Sequence, residues 1–179
     1  MGNLRVGNGF DVHLLKEGLP FVLGGVKIDH SKGCIAHSDG DVAIHALCDA
    51  LLGALALGDI GKFYPDSSDE FKGIDSKILL ERTYALILEK GWVLENADIT
   101  ILLQRPKIAP YIEKMQQTLT AVIEKTEREN KKTPVVENKD MTGRIAIKAT
   151  TTEKAGFVGR EEGIAAIATV LLEKNLHNG

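Results

Sequence analysis

The residues best equipped for chemistry fall in two short stretches. Asp11 and His13 lie two apart in Leu4-Arg5-Val6-Gly7-Asn8-Gly9-Phe10-Asp11-Val12-His13, whose alternation and glycines predict a strand whose backbone is closely approached by something else. Alternate strand residues share a face, so the carboxylate and imidazole project together. In Ala36-His37-Ser38-Asp39-Gly40-Asp41-Val42-Ala43-Ile44-His45-Ala46-Leu47-Cys48-Asp49, a polar loop runs into an apolar helix. Asp41, His45 and Asp49 recur at steps of four and stack on one helical face, suited to a metal or a phosphate. A catalytic zinc takes three protein ligands, commonly histidine with a carboxylate, and leaves a fourth position open. Asp11, His13 and His45 meet that requirement, and hydrogen-bonded core histidine is the alternative reading of the same pattern.

Asp49, one turn after His45, is either an acceptor that fixes the imidazole or a local helix contact. Asp41, one turn before, is placed to meet the positive end of the helix dipole. Farther along, Thr150, Thr151, Thr152 and Glu153 set three hydroxyls and a carboxylate at a strand end, a set able to hold phosphate oxygens and a hard divalent cation. Threonine also favours strands by propensity alone. Lys107 and Arg160, near Pro106 and Phe157, suit a diphosphate or nucleotide, or else are solvated side chains.

The elements that must position these groups follow from the pattern. At 179 residues, 44% hydrophobic and 26% charged, the chain suits a single domain with a sizeable core, spanning 1–179. A net charge of -3 offers no basic field for nucleic acid. Cys34 and Cys48 form no metal-pair spacing or disulfide framework, and no run reaches the roughly eighteen apolar residues of a membrane span. A cytoplasmic protein is expected, or one of a plastid-type organelle if a transit peptide has been removed.

After the first strand, Phe21 to Ile28 predicts a hairpin turning at Gly24-Gly25, followed by a loop from Ser31 to Asp39. A helix buried on most sides is predicted from Asp39 or Gly40 to Leu57, and a turn-rich loop from Asp59 to Ser68. Asp75 caps a predicted helix through Lys90, Ala97 to Gln104 reads as a strand, and Pro110 opens another helix. A charged, solvated insertion is expected at about 125–143. Arg144 to Thr150 reads as a strand and Gly156 to Arg160 as a glycine-rich turn, while Gly163 to Glu173 fits helix or strand.

Taken together, Gly9-Phe10-Asp11-Val12-His13, Ala36-His37-Ser38-Asp39-Gly40-Asp41, Asp49-Ala50-Leu51-Leu52-Gly53-Ala54, Gly58-Asp59-Ile60-Gly61 and Lys148-Ala149-Thr150-Thr151-Thr152-Glu153-Lys154 resemble the 2-C-methyl-D-erythritol 2,4-cyclodiphosphate synthases over nearly the whole chain. The resemblance implies a phosphorus-oxygen lyase of the non-mevalonate isoprenoid pathway. It would convert 4-diphosphocytidyl-2-C-methyl-D-erythritol 2-phosphate to the cyclic diphosphate and CMP. The implied fold is α/β of the α+β type: a mixed, largely four-stranded sheet with helices on one face, assembled as a homotrimer with active sites between subunits. On that fold Gly163 to Glu173 becomes a strand.

Position by position, the resemblance makes Asp11, His13 and His45 zinc ligands and Glu153 the holder of a second cation, magnesium or manganese. His37 and Thr151 match transition-state stabilisers, with Ser38 assisting at the attacking phosphate and Val12 lining the same place. Asp59, Ile60 and Gly61 would contact the methylerythritol hydroxyls, under the loop Tyr64, Pro65, Asp66, Ser67 and Ser68. Leu103, Gln104, Arg105, Pro106, Lys107, Ile108 and Ala109 match the cytidine pocket, and Thr150, Thr152, Phe157 and Arg160 complete the diphosphate and nucleotide contacts. Three positions depart from the pattern: Asn8 where histidine is common, Ser68 where an acid is frequent, and the long connection from Glu124 to Arg144. A zinc phosphohydrolase that activates water, and a trimer that only binds isoprenoid diphosphates, are the competing expectations.

Overall fold

The computed structural model describes residues 2–65, 67–130 and 143–175. Strand β1 (Leu4–Glu17) presents its two edges of side chains to different surroundings. Its odd-numbered face, with Gly7, Gly9, Asp11 and His13, turns toward the helical layer, while Leu4, Val6, Phe10, Val12 and Leu14 stay exposed on the other. The hairpin strands β2 (Phe21–Leu23) and β3 (Val26–Ile28) turn through Gly24 and Gly25, both at positive φ as a tight hairpin requires. A short strand β4 (Lys32–Cys34), within the stretch expected to be loop, pairs with the end of β1.

Helix α1 (Val42–Ala54) is shorter at both ends than predicted, and eleven of its residues are buried. Asp41 caps it by accepting from Ile44 N–H, and the same carboxylate accepts from Gly24 and Gly25 N–H at 2.9 and 2.6 Å, so the cap also fastens the hairpin. Ile44, Leu47, Leu51 and Leu52 are almost wholly excluded from water, each worth about 1.5–3 kcal/mol of burial. A short helix α2 (Ile60–Phe63) follows, and then α3 (Ser76–Glu89), capped by Asp75 as predicted.

Strand β5 (Trp92–Leu102) begins earlier than the sequence suggested and carries a bulge between Leu94 and Asn96. Helix α4 (Ile112–Glu129), strand β6 (Ile145–Thr150), the single turn α5 (Gly156–Gly159) and strand β7 (Gly163–Lys174) complete the chain. The last of these settles the helix-or-strand ambiguity in favour of a strand. In the five-stranded sheet the order is β4-β1-β7-β5-β6, with β5 and β6 parallel and the other pairs antiparallel. It is the mixed, largely four-stranded sheet expected, extended at one edge by three-residue β4. Helix α1 lies across β1 and β7, α4 against β6, and α3 over α1 and α4, so the helices occupy one face.

Of the stretch expected as a solvated insertion at about 125–143, the residues up to Glu129 belong to helix α4. Helix α4 continues because Ile123 and Thr126 are buried and Glu127 accepts from the Tyr84 hydroxyl at 2.6 Å and from Arg144 at 3.3 Å. Arg144 also donates to the Leu94 carbonyl beside the bulge. The remainder of that stretch, 131–142, lies outside the described residues.

Candidate functional site

Glycine is what brings the site together. A Cβ on Gly7 would fall 1.9 Å from Ala50 O, and one on Gly9 would fall 2.0 Å from Ala46 O, so α1 rests directly on the β1 backbone. The next residues on that face of β1, Asp11 and His13, therefore meet His45 in the first turns of α1. Asp11 Oδ2 lies 3.1 Å from His13 Nε2 and 3.0 Å from His45 Nδ1, and the two nitrogens are 3.1 Å apart. All three donor atoms lie within 4.8 Å of one another, the one such group of three among the described residues. Two imidazoles and a carboxylate converging from a strand and a helix fit a zinc-type ion, whose three-ligand sites use this donor set.

Burial disfavours the charged form of Asp11, but the hydrogen bonds and charges of His13 and His45 outweigh it and hold the carboxyl well below the usual carboxylate range. Burial likewise works against charge on His45, yet Asp11 raises its pKa through a hydrogen bond and through charge. His45 is only 8% exposed, and its far nitrogen, Nε2, meets Ser76 Oγ at 3.0 Å and Ser38 Oγ at 3.1 Å. Ser76 donates to Asp39 Oδ1 at 2.5 Å, and its N–H donates to Asp39 Oδ2 at 3.1 Å. Sequence reasoning missed this pair, since residues 37 apart carry no local signal of contact.

Several expected neighbours lie elsewhere. Asp49 does not support His45: its carboxylate accepts from Ile60 N–H at 2.7 Å and so anchors the start of α2. Asn8 falls on the opposite face of β1 and donates to Ala168 O and Thr169 Oγ1, so the departure at that position leaves the Asp11, His13 and His45 cluster untouched. Val12 is exposed on that same outer face. Ser38, expected at a phosphate, places its hydroxyl against His45 and accepts from Gly40 N–H.

His37 Nε2 lies 3.0 Å from Ser68 O, tying the loop before α1 to the loop after α2. Asp59 caps α2 by accepting from Lys62 N–H, and its first turn holds half-buried Ile60, packed against the core, and exposed Gly61. The Tyr64 hydroxyl is engaged with Thr83 Oγ1 at 3.1 Å, its ring edge-on to Phe71, so this side chain fastens the loop to α3. Pro65 and Ser67 are exposed, Ser68 caps the following turn, and Asp66 lies outside the described residues.

At the end of β6, Thr151 Oγ1 donates to Glu153 Oε1 at 2.9 Å, and Thr152 Oγ1 donates to Ala155 O at 2.6 Å. Thr150 donates to Thr151 O. Glu153 and Lys154 both adopt positive φ, and Gly159 packs so closely on Lys154 that a Cβ would reach its carbonyl carbon at 2.1 Å. Arg160 is paired with Glu162, and Arg105 with Glu161 through two bonds of 2.7 and 2.8 Å. Leu103 N–H donates to Thr150 O, Gln104 Oε1 is buried without a hydrogen-bond partner, and Pro106, Lys107, Ile108 and Ala109 lead into a 3-10 turn. Phe157 is 38% exposed beside these groups.

The chain does not bring its two clusters together. Register runs Val12, Ala165, Leu102, Thr150 across four strands, three spacings of about 4.8 Å, or roughly 14 Å.

A family model described as the YgbB family matches residues 4–173. A relative from Acinetobacter baumannii named 2-C-methyl-D-erythritol 2,4-cyclodiphosphate synthase is 52% identical over 172 residues, 96% of this chain and 98% of its own length. The bifunctional IspDF of Campylobacter jejuni superposes with a TM-score of 0.84 at 42% identity, covering 96% of this chain and 42% of that longer one. The CDP complex of IspF from Plasmodium falciparum gives a TM-score of 0.77 at 31% identity, covering 97% and 99%.

Proposed function

The chain belongs to the YgbB family, and on that premise we propose that it converts 4-diphosphocytidyl-2-C-methyl-D-erythritol 2-phosphate to 2-C-methyl-D-erythritol 2,4-cyclodiphosphate and CMP. It is thus a phosphorus-oxygen lyase of the non-mevalonate isoprenoid pathway, like the relatives it matches over nearly its full length. The observation that carries the reading is the convergence of Asp11 Oδ2, His13 Nε2 and His45 Nδ1 within 4.8 Å.

The substrate's own 2-phosphate attacks the β-phosphorus, the new O–P bond replaces the bond to the α-phosphate, and CMP leaves with that oxygen. No water enters, so the protein needs no Ser-His-Asp nucleophile; its work is to fold the substrate back and to neutralise charge. Asp11, His13 and His45 hold a zinc ion, which when bound supplies Lewis acidity at a β-phosphate oxygen. Glu153 holds a second divalent cation, magnesium or manganese, and its exposed carboxylate at a turn fits that task. His37 and Thr151 donate to the phosphates, the second by turning its hydroxyl from Glu153 to the diphosphate. Asp59 and the turn at Ile60 and Gly61 receive the methylerythritol hydroxyls, while the backbone from Leu103 to Ala109 reads the base.

A homotrimer completes the site. The exposed row Leu4, Val6, Phe10, Val12 and Leu14, with Ile167, is an apolar face that neighbouring sheets can bury. The roughly 14 Å between Val12 and Thr150 within one chain supports a site shared by adjacent subunits. Among the described residues no helix is long and apolar enough to cross a membrane. We assign the reaction to the cytoplasm, where the two buried thiols stay reduced.

The direct test is CMP release after chelation and metal add-back. Stripped protein should release no CMP and regain release on addition of zinc with magnesium or manganese. Turnover unaffected by complete metal removal would contradict the reading.

A further inference from the structure

Resting on the metal reading above, we propose that Ser76 and Asp39 are positioning residues that hold His45 Nε2 as a hydrogen-bond donor and so keep Nδ1 turned to the metal. Ser76, at the first turn of α3, is wholly buried. Its hydroxyl proton is committed to Asp39 Oδ1 at 2.5 Å, and Asp39 Oδ2 takes the Ser76 N–H, so the carboxylate grips the serine at two points. A hydroxyl whose proton is spent can only accept in its other direction. The atom in that direction is His45 Nε2, at 3.0 Å. Nε2 must therefore donate a proton, and the opposite nitrogen, Nδ1, is turned to Asp11 and His13, where Asp11 Oδ2 accepts from it at 3.0 Å.

Ser38 Oγ lies 3.1 Å from the same nitrogen, but among the described residues its proton is not tied to a carboxylate, so it does not by itself require a proton on Nε2. Asp39 also acts on the path of the chain. It bridges the loop before α1 to the start of α3, and its N–H donates to Ile74 O at 3.1 Å. The relay Asp39, Ser76, His45 thus runs from one helix start to another and ends at the metal-facing side of the imidazole.

The test reads the imidazole rather than turnover. Proton NMR should show a slowly exchanging His45 Nε2–H in the parent protein, with or without zinc. In Ser76→Ala that proton should exchange with water at least about tenfold faster, and zinc affinity measured against a competing chelator should fall about 10- to 100-fold. Ser76→Thr, which keeps the hydroxyl, should restore both. Asp39→Asn, which keeps an acceptor for the serine proton, provides a second variant should Ser76→Ala fail to fold, and should lower zinc affinity by a smaller factor. An unchanged His45 spectrum and unchanged zinc affinity in Ser76→Ala, or in Asp39→Asn if only that variant folds, would overturn the proposal. If the parent protein held no zinc, the metal reading would fall, and the exchange of the Nε2 proton would still decide this inference.

Discussion

His45 has two ring nitrogens with separate duties, one turned to Asp11 and His13 and the other to the serines beneath it. Replacing it with alanine should abolish turnover and bound zinc together, whereas Glu153→Gln should spare zinc and weaken the response to added magnesium or manganese; atomic absorption beside a CMP assay separates the two. Burial pushes both thiols, Cys34 and Cys48, up to about 12 from an ordinary 9.0. The folded state therefore retains their protons longer than the unfolded chain does. That stability is fully present below about pH 9 and is lost as pH rises toward 12. At pH 8 iodoacetamide should label neither thiol until the chain is unfolded, and rapid labelling of native protein would contradict their placement. Asp11, His13 and His45 were legible as one cluster because strand alternation and helical steps are local rules. Ser76 was not, because its meeting with His45 depends on how α3 folds back over α1. Asp49 shows the limit of the same rule: steps of four put it on the His45 face, but could not say that Ile60 N–H would claim its carboxylate.

At the scale of elements, the decisive contact is α1 against the glycines of β1. Gly9→Ala would drive a methyl into Ala46 O, with the backbone N of Ala50 at 2.6 Å as the next atom in its way. The expected cost is about 3 kcal/mol, a fall in Tm on the order of 10 °C for a chain of this size. Calorimetry showing an unaltered Tm would mean that α1 does not sit where the structure puts it. This close approach was readable in advance from glycines on one face of a strand. Element ends were less so. Helix α4 outruns its apolar stripe because Glu127 has a tertiary partner in Tyr84, and β5 starts early because the bulge beyond Leu94 lets it keep pairing with β7. Neither partner is near in sequence, so periodicity could not announce them.

At the scale of the whole molecule, one face of the sheet is covered by helices and the other displays Val6 at 69% exposure and Phe10 at 55%. Val6→Lys should leave the single chain folded, since the site is exposed, but shift sedimentation from a three-chain species toward one chain and lower activity with it. A trimer unmoved by that charge would relocate the interface. The family and the sheet were legible from five sequence blocks, while the separation of the metal cluster from Thr150 became visible only through strand register. The central claim is that this site joins two phosphates of one substrate without water. Phosphorus NMR of the product of 4-diphosphocytidyl-2-C-methyl-D-erythritol 2-phosphate tests it most directly: the cyclic diphosphate with an equal amount of CMP is the predicted result, and a linear phosphate product would contradict it.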